Sequence, residues 1–314
     1  MEEKNSLNET TGSQVTEFIL MGITNHPELK GPLFVVFFLN YMAIVVGNIG
    51  LIILTSVDSH LKTPMYFFLK HLAFVDLGYS TTIAPKMLVG FVEDNNISYH
   101  GCAIQLVFYV IFVVSELFIL SAMAYDRYVA ICKPLYYMVI VSDRVCWLLV
   151  AISYLYNTML SLLVTIKIFK LSFCKSNIIR NFYCESAPLL SITCSDPSEI
   201  ELIIVTFAAF NFFSSFPIIF ISYMLIIVTI LRMNSSEGRH KTFSTFGSHL
   251  TGVVIFYGTL TFIYLQPQSS HSFDVDKIAS VFYTLVIPML NPLIYSLRNK
   301  EVKVALRRLF KKLI

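Results

Sequence analysis

Charge is scarce in this chain. Only 14% of its 314 residues are Asp, Glu, Lys or Arg, against about 25% in a soluble domain. The net charge of +3 is small and spread over loops and tail, so no nucleic-acid surface is indicated. There is no HExxH motif, no glycine-rich phosphate loop and no nucleophile–base pair, which removes the usual sequence grounds for an enzyme. Low-complexity segments, repeats of solenoid period and interdomain linkers are also missing. The first 31 residues are polar and acidic, with no apolar core and no small-residue cleavage site. The N-terminus is therefore expected to cross the membrane with the first span as an uncleaved anchor. No cysteine follows Cys194, so palmitoylation of the tail is excluded.

What fills the chain instead is apolar sequence: 56% hydrophobic residues and a mean hydropathy of +0.69. Seven stretches, near 33–57, 64–89, 102–127, 145–166, 200–231, 243–264 and 277–298, are long enough to cross about 30 Å of hydrocarbon. The expected fold is an all-α seven-transmembrane helix bundle. It divides into a tail over 1–32, a membrane domain over 33–298 and a short amphipathic helix over 299–314. Of the 23 Lys and Arg, 15 fall on the side of the C-terminal tail, which the positive-inside rule makes cytoplasmic. In the tail, Val302, Leu306, Leu309, Phe310 and Leu313 form one stripe among Lys303, Arg307, Arg308, Lys311 and Lys312, a pattern suited to an anionic membrane interface.

Cysteines and sequons fit that orientation. Cys102, Cys174, Cys184 and Cys194 fall outside, where disulfides form, and Cys132 and Cys146 fall inside. Four cysteines allow three pairings, and spacing does not choose among them. The sequons at Asn8 and Asn96 lie outside, with Asn8 in the free tail and Asn96 in a short loop near the membrane. The sequon at Asn234 is cytoplasmic and is expected to stay unmodified.

The sharpest motif closes the third span: the run from Met123 through Tyr125, Asp126, Arg127 and Tyr128 to Cys132, Pro134 and Leu135. Here an acid and an always-charged guanidinium stand at the cytoplasmic boundary. The run resembles the signature of rhodopsin-like G-protein-coupled receptors, and its wording is that of the olfactory receptor family. Three further segments carry the resemblance in order. Leu61 to Leu69 looks like the first inner loop, with Lys62 where His is usual. Lys241 to Leu250 looks like the sixth-helix entry, with Phe246 where Cys is common. Pro288 to Lys300 resembles the seventh-helix ending.

The resemblance implies a receptor for small volatile molecules that raises cyclic AMP through a stimulatory, olfactory-type G protein. It implies the disulfides Cys102–Cys184 and Cys174–Cys194, with Cys102–Cys194 as the competing assignment. It also gives Asp126, Arg127, Tyr128, Lys241, Asn291, Pro292 and Tyr295 switch or coupling roles. The sixth helix is expected to move away from Arg127 so that the opened groove accepts a G-protein α-subunit helix.

Helix arithmetic places the remaining candidates. Asp76 and Glu116 reach similar depth, roughly 16–18 Å from the cytoplasmic side. Two ionised acids there would repel, so a cation sits between them or they share a proton. A bound sodium ion would add Asn48 and Asn291 as polar neighbours. Above that layer, Tyr109, Val110, Val113, Asn211, Ser215, Tyr257, Leu260, Thr261, Ser280 and Tyr283 form the expected ligand pocket, mainly apolar and aromatic. No acid or lysine occupies that level of the third helix, so an amine counter-ion is missing. Two rival readings stand beside this one: a non-olfactory chemosensor on the same scaffold, and an ion-conducting or transport protein using Asp76 and Glu116.

Overall fold

The computed structural model describes residues 15–24, 26–233, 247, 250–259, 273–298 and 300–313. Helices α1 (Pro27–Val57), α2 (Pro64–Val89), α3 (Tyr99–Cys132), α5 (Asp143–Phe169) and α7 (Ser198–Leu231) form the body of the bundle, with the short α4 (Tyr137–Ile140) between α3 and α5. A six-residue α6 (Ser186–Ser191) lies in the long loop before α7. The sixth span is described over α8 (Leu250–Thr259). The seventh consists of α9 (Phe273–Val281), a π-turn at Phe282–Val286 and α10 (Ile287–Arg298), and α11 (Lys300–Leu313) follows.

Among the described residues, five helices are apolar and long enough to cross a membrane: Pro27–Val57, Tyr99–Cys132, Asp143–Phe169, Ser198–Leu231 and Lys277–Ile294. α2 has the length but carries Lys70, Asp76 and Lys86, and the sixth span falls partly outside the described residues. The chain is a multi-pass, seven-helix membrane protein.

Periodicity explains which faces turn inward. α1 buries Ile44, Asn48, Leu51, Leu54 and Thr55, a stripe at three- and four-residue spacing. Its other faces are as apolar, yet Val36, Leu39 and Val46 are exposed, as a helix surrounded by lipid requires. α3 packs against α2, α5 and α7 and so forms the axis of the bundle. Small residues permit the closest approaches: a Cβ added at Gly78 of α2 would stand 2.4 Å from the Phe112 ring of α3. A Cβ at Gly47 of α1 would meet Pro292 of α10 at 3.3 Å.

Helix boundaries follow turn chemistry more than apolarity. α2 spans the expected 64–89, opening on Pro64 in the first turn and capped by Gly90. α1 opens at Pro27 instead of 33, because its polar first turn is invisible to a criterion of apolar length. α3 begins at Tyr99, where the Ser98 hydroxyl accepts from the Gly101 amide at 3.1 Å.

Residues 15–24, ahead of α1, are structured. β1 (Glu17–Leu20) is the central strand of a small sheet, antiparallel to β2 (Asn96–Ser98) and parallel to β3 (Ile178–Ile179). Phe18 is fully buried among Tyr99, Phe169 and Phe173, where α3 begins and α5 ends. A four-residue strand stable only through remote partners leaves no periodic signal in the sequence.

Candidate functional site

A cavity of about 580 Å³ opens between α3, α5, α7, the loop ahead of α7 and the seventh span. Six of the expected pocket residues line it: Tyr109 and Val110 with Val113 on α3, Asn211 on α7, and Ser280 and Tyr283 on the seventh span. Its walls are apolar, supplied also by Val114, Leu160, Val164, Ile204 and Phe207. The π-turn puts Tyr283 in the wall: the Ser80 hydroxyl donates to the Thr284 carbonyl at 3.2 Å, satisfying a group the wider turn frees. Tyr283 also hydrogen-bonds Tyr183, and Tyr79 stacks between Tyr109 and Tyr283 at 5.7 and 6.4 Å. Burial pushes the Tyr183 hydroxyl far above its ordinary range, so this loop residue stays neutral.

Ser215 and Tyr257 do not line the cavity. The Tyr257 hydroxyl donates to Ser215 Oγ at 2.9 Å, and the Ser121 hydroxyl reaches the Ser215 carbonyl at 3.4 Å. Ser121 is 12 residues past Tyr109 on α3, roughly 18 Å deeper. Ser215 lies one turn beyond Asn211, and that turn moves it from the wall to the layer beneath. Leu260 and Thr261 lie outside the described residues.

The end of the cavity under the disulfide-linked loop is more polar than the sequence suggested. Arg180, Asn181, Glu185 and Lys277 all reach it. Asn181 Nδ2 donates to Glu185 at 2.8 Å, and Lys277 Nζ donates to the Gly22 carbonyl at 2.8 Å, tying β1's exit to the roof. Arg180, Asn181 and Glu185 carry one signal in the sequence, their nearness to Cys184. The structure joins Cys184 to Cys102 (Cα–Cα 5.5 Å), and Tyr109 lies seven residues, two turns, below Cys102. Whatever neighbours Cys184 must therefore hang over Tyr109. Cys174 pairs with Cys194 (Cα–Cα 5.8 Å), while Cys132 and Cys146 are free thiols.

The second layer holds the two buried acids. Asp76 is fully buried and accepts from Asn291 Nδ2 at 3.2 and 3.0 Å through its two oxygens. Glu116 is buried at 1% exposure and its Oε1 has no hydrogen-bond partner among the described residues. Asn48 Nδ2 donates to the Ile44 and Pro288 carbonyls at 3.0 and 3.2 Å, and its Oδ1 has no partner among the described residues. Carboxyl and amide oxygens are hard donors, the chemistry that a hard cation would need.

At the end of α3 away from the cavity, Arg127 Nε donates to Asp126 Oδ2 at 3.0 Å, and its NH2 group reaches the same oxygen. The other Asp126 oxygen accepts from the Tyr137 hydroxyl at 2.7 Å. Asp126 is fully buried, so both of its oxygens are occupied where water is excluded. Tyr137 follows the helix break at Pro134, and no helical period places it over Asp126. Tyr128 faces Lys133, whose ammonium lies 5.9 Å from its ring centroid. Pro292 lies inside α10 and Tyr295 is helical in its backbone. The Tyr295 side chain lies outside the described residues, as do Lys241 and Asn8. Asn96 stands exposed on β2, at the sheet edge.

The amphipathic tail is held by contacts that the stripe does not foretell. α11 buries Val302 and Ala305 while Leu306 is 43% exposed, so its protein face is rotated away from the expected one. Tyr66 donates to Glu301 at 2.7 Å, and Arg308 stands 3.6 Å from Asp58 and 2.6 Å from His60 Nδ1. The His60 backbone amide, ahead of the His60 ring and Arg308, holds the Asp58 carboxyl below the usual range.

Comparison with known proteins agrees with this geometry. The family model described as olfactory receptor matches residues 37–312. Human olfactory receptor 8K1 is 64% identical over 302 residues, covering 96% of this chain and 95% of that protein. Human olfactory receptor 8K3 is 66% identical over 295 residues, covering 94% of each. Mouse olfactory receptor 8U3 is 56% identical over 301 residues, covering 96% of this chain and 94% of that protein. With matches of that depth running through every span, the chain belongs to the olfactory receptor family.

Proposed function

We propose that the chain is an odorant receptor that binds small volatile molecules in the cavity under Tyr183 and passes their occupancy to a stimulatory, olfactory-type G protein. The observation that carries this reading is the placement of an apolar cavity of about 580 Å³ beside α3, whose other end carries the Asp126–Arg127 pair. A ligand favouring the arrangement in which that pair opens shifts the equilibrium by its differential affinity. Family membership supports a receptor and gives no support to an enzyme or a transporter.

Orientation is part of the proposal. The N-terminus and the disulfides stand outside, Arg127 and α11 inside, with Asn8 and Asn96 as glycan acceptors. Cys132 and Cys146, both free, lie at the other end from the two disulfides, as the redox difference across a plasma membrane would leave them. Loss of a glycosidase-sensitive mass shift in Asn8→Gln would support it; an unchanged shift would move the glycan to Asn96.

A sodium ion among Asp76, Glu116, Asn48 and Asn291 is the second element. When bound, it would neutralise charge between two buried acids and favour the resting arrangement. Asn291 holds Asp76 in place, and Glu116 supplies an oxygen that no neighbour among the described residues satisfies. Basal signalling that depends on external sodium in the wild type and not in Glu116→Gln supports the ion. Sodium-independent signalling in both supports a shared proton.

The deciding experiment measures cyclic AMP in cells expressing the chain with an olfactory-type G protein, across a diverse volatile panel. A response present in the wild type and lost in Arg127→Ala at equal surface level is the expected result. A response that survives Arg127→Ala would reject coupling through this end of α3.

A further inference from the structure

At the foot of α1, two neighbours make opposite demands on one nitrogen of His60. Arg308 NH1 lies 2.6 Å from His60 Nδ1, and Asp58 Oδ1 lies 3.1 Å from the same atom. A guanidinium only donates, so Nδ1 accepts from Arg308 through a lone pair and carries no proton. An ionised carboxylate only accepts, so a bond from Nδ1 to Asp58 requires that proton. The two bonds exclude each other. Asp58 keeps its place in either case, because Oδ1 also accepts from the His60 backbone amide at 2.9 Å. Arg308 is less well held: its Nε is buried without a partner among the described residues, and Asp58 stands 3.6 Å from its NH1. The other neighbours are Leu54 and Val57 of α1 and Ala305 and Leu309 of α11. Among the described residues, Asp58 and Arg308 are therefore the charged groups that face the ring.

We propose that His60 is a proton-operated latch on α11: the neutral ring holds Arg308, and the protonated ring turns to Asp58 and lets Arg308 go. Its side chain is 70% exposed, so protons reach it without rearrangement. Imidazole is the side chain that changes charge between about pH 5 and 8. The latched arrangement holds one proton fewer, so latching is complete on the alkaline side and is lost as pH falls. Asp58 is still ionised in that window, because its carboxyl is held below the usual range. The bond from Tyr66 to Glu301 is untouched, so α11 keeps its first turn and loosens around Arg308. That the pH sensed is that of the cytoplasm rests on the orientation proposed above; the latch itself does not.

The test uses the full chain in lipid nanodiscs, where buffer reaches both faces and orientation has no influence. A spin label is placed at Lys311→Cys, an exposed site three residues past Arg308. Receptor without that substitution is the blank for labelling at Cys132 and Cys146. From about pH 8 to about pH 5.5, the ratio of mobile to docked label should rise about tenfold or more, the loss of one charge-assisted hydrogen bond. His60→Gln offers Arg308 an oxygen that takes up no proton in this range, so the label should stay docked throughout. His60→Lys carries a fixed charge, so the label should be mobile even at the alkaline end. A wild-type label indifferent to pH, or a His60→Gln label that titrates as the wild type does, overturns the proposal. A His60→Lys label that docks normally overturns it as well.

Discussion

With the orientation proposed above, the outer and inner ends of this bundle are held by different physics. Outside, two disulfides, a three-stranded sheet and the aromatic cluster around Phe18 lock the loop over α3. Inside, among the described residues, no disulfide is present; Asp126 with Arg127 and Tyr137, and Arg308 with Asp58 and His60, are charge-assisted contacts. Covalent links and ring packing have no alternative partners within the fold, whereas a salt bridge can exchange one partner for another. The outer end therefore preserves the shape of a cavity, and the inner end can be released. A receptor needs both, in that order along α3.

The comparison breaks most completely at the outer end. Removing the Cys102–Cys184 bond by Cys102→Ser should cost about 2–5 kcal/mol and collapse surface expression, measured by surface antibody labelling. Signalling should be unrecoverable even where protein reaches the membrane, because Glu185 and Tyr183 lose their place over the cavity. At the inner end, Asp126→Asn should leave surface level near normal. It should raise ligand-independent cyclic AMP about ten- to a hundredfold by weakening a buried charged pair. Tyr137→Phe removes one hydrogen bond to the same carboxylate, so basal signalling should rise only about two- to tenfold. An equal effect of the two variants would mean that the pair with Arg127 does not hold the resting state.

The smallest effect belongs to the tail. Asp58 sits below its ordinary carboxylate range when α11 is docked, so its contribution is present above that range and disappears as pH falls through the lowered value. Asp58→Asn should leave the mobility of a spectroscopic label on α11 unchanged as pH falls below the ordinary carboxylate range, where the wild type loosens. An identical acid response in both would assign the docking to Tyr66 and Glu301 alone.

The readings that the sequence carried well depend on local or strongly periodic features. α2 kept its limits because Pro64 and Gly90 mark its ends, and Asp76 met Asn291 because both motifs fix depth along a straight helix. What was hidden is contact between segments remote in sequence. β1, Tyr137, and the charged roof of Arg180, Glu185 and Lys277 are placed by turns and cross-links, with no repeat to betray them. Depth counted from chain ends also resolves a layer only to about a turn: Ser215 lies one turn below Asn211, and Tyr257 of α8 hydrogen-bonds to it there.

The π-turn at Phe282–Val286 has a genetic corollary. Such a turn holds one residue more than an α-helical path of the same hydrogen-bonded geometry. Deleting a single codon there would let the backbone close as ordinary α-helix, with Asn291 and Pro292 still in register with Asp76 and Gly47. The same deletion within α10, where no residue is spare, would turn everything outward of it by about 100° about the axis. Among single-codon losses in the last span, those within these five positions are the ones a lineage of this receptor could carry while still delivering a folded protein to the membrane.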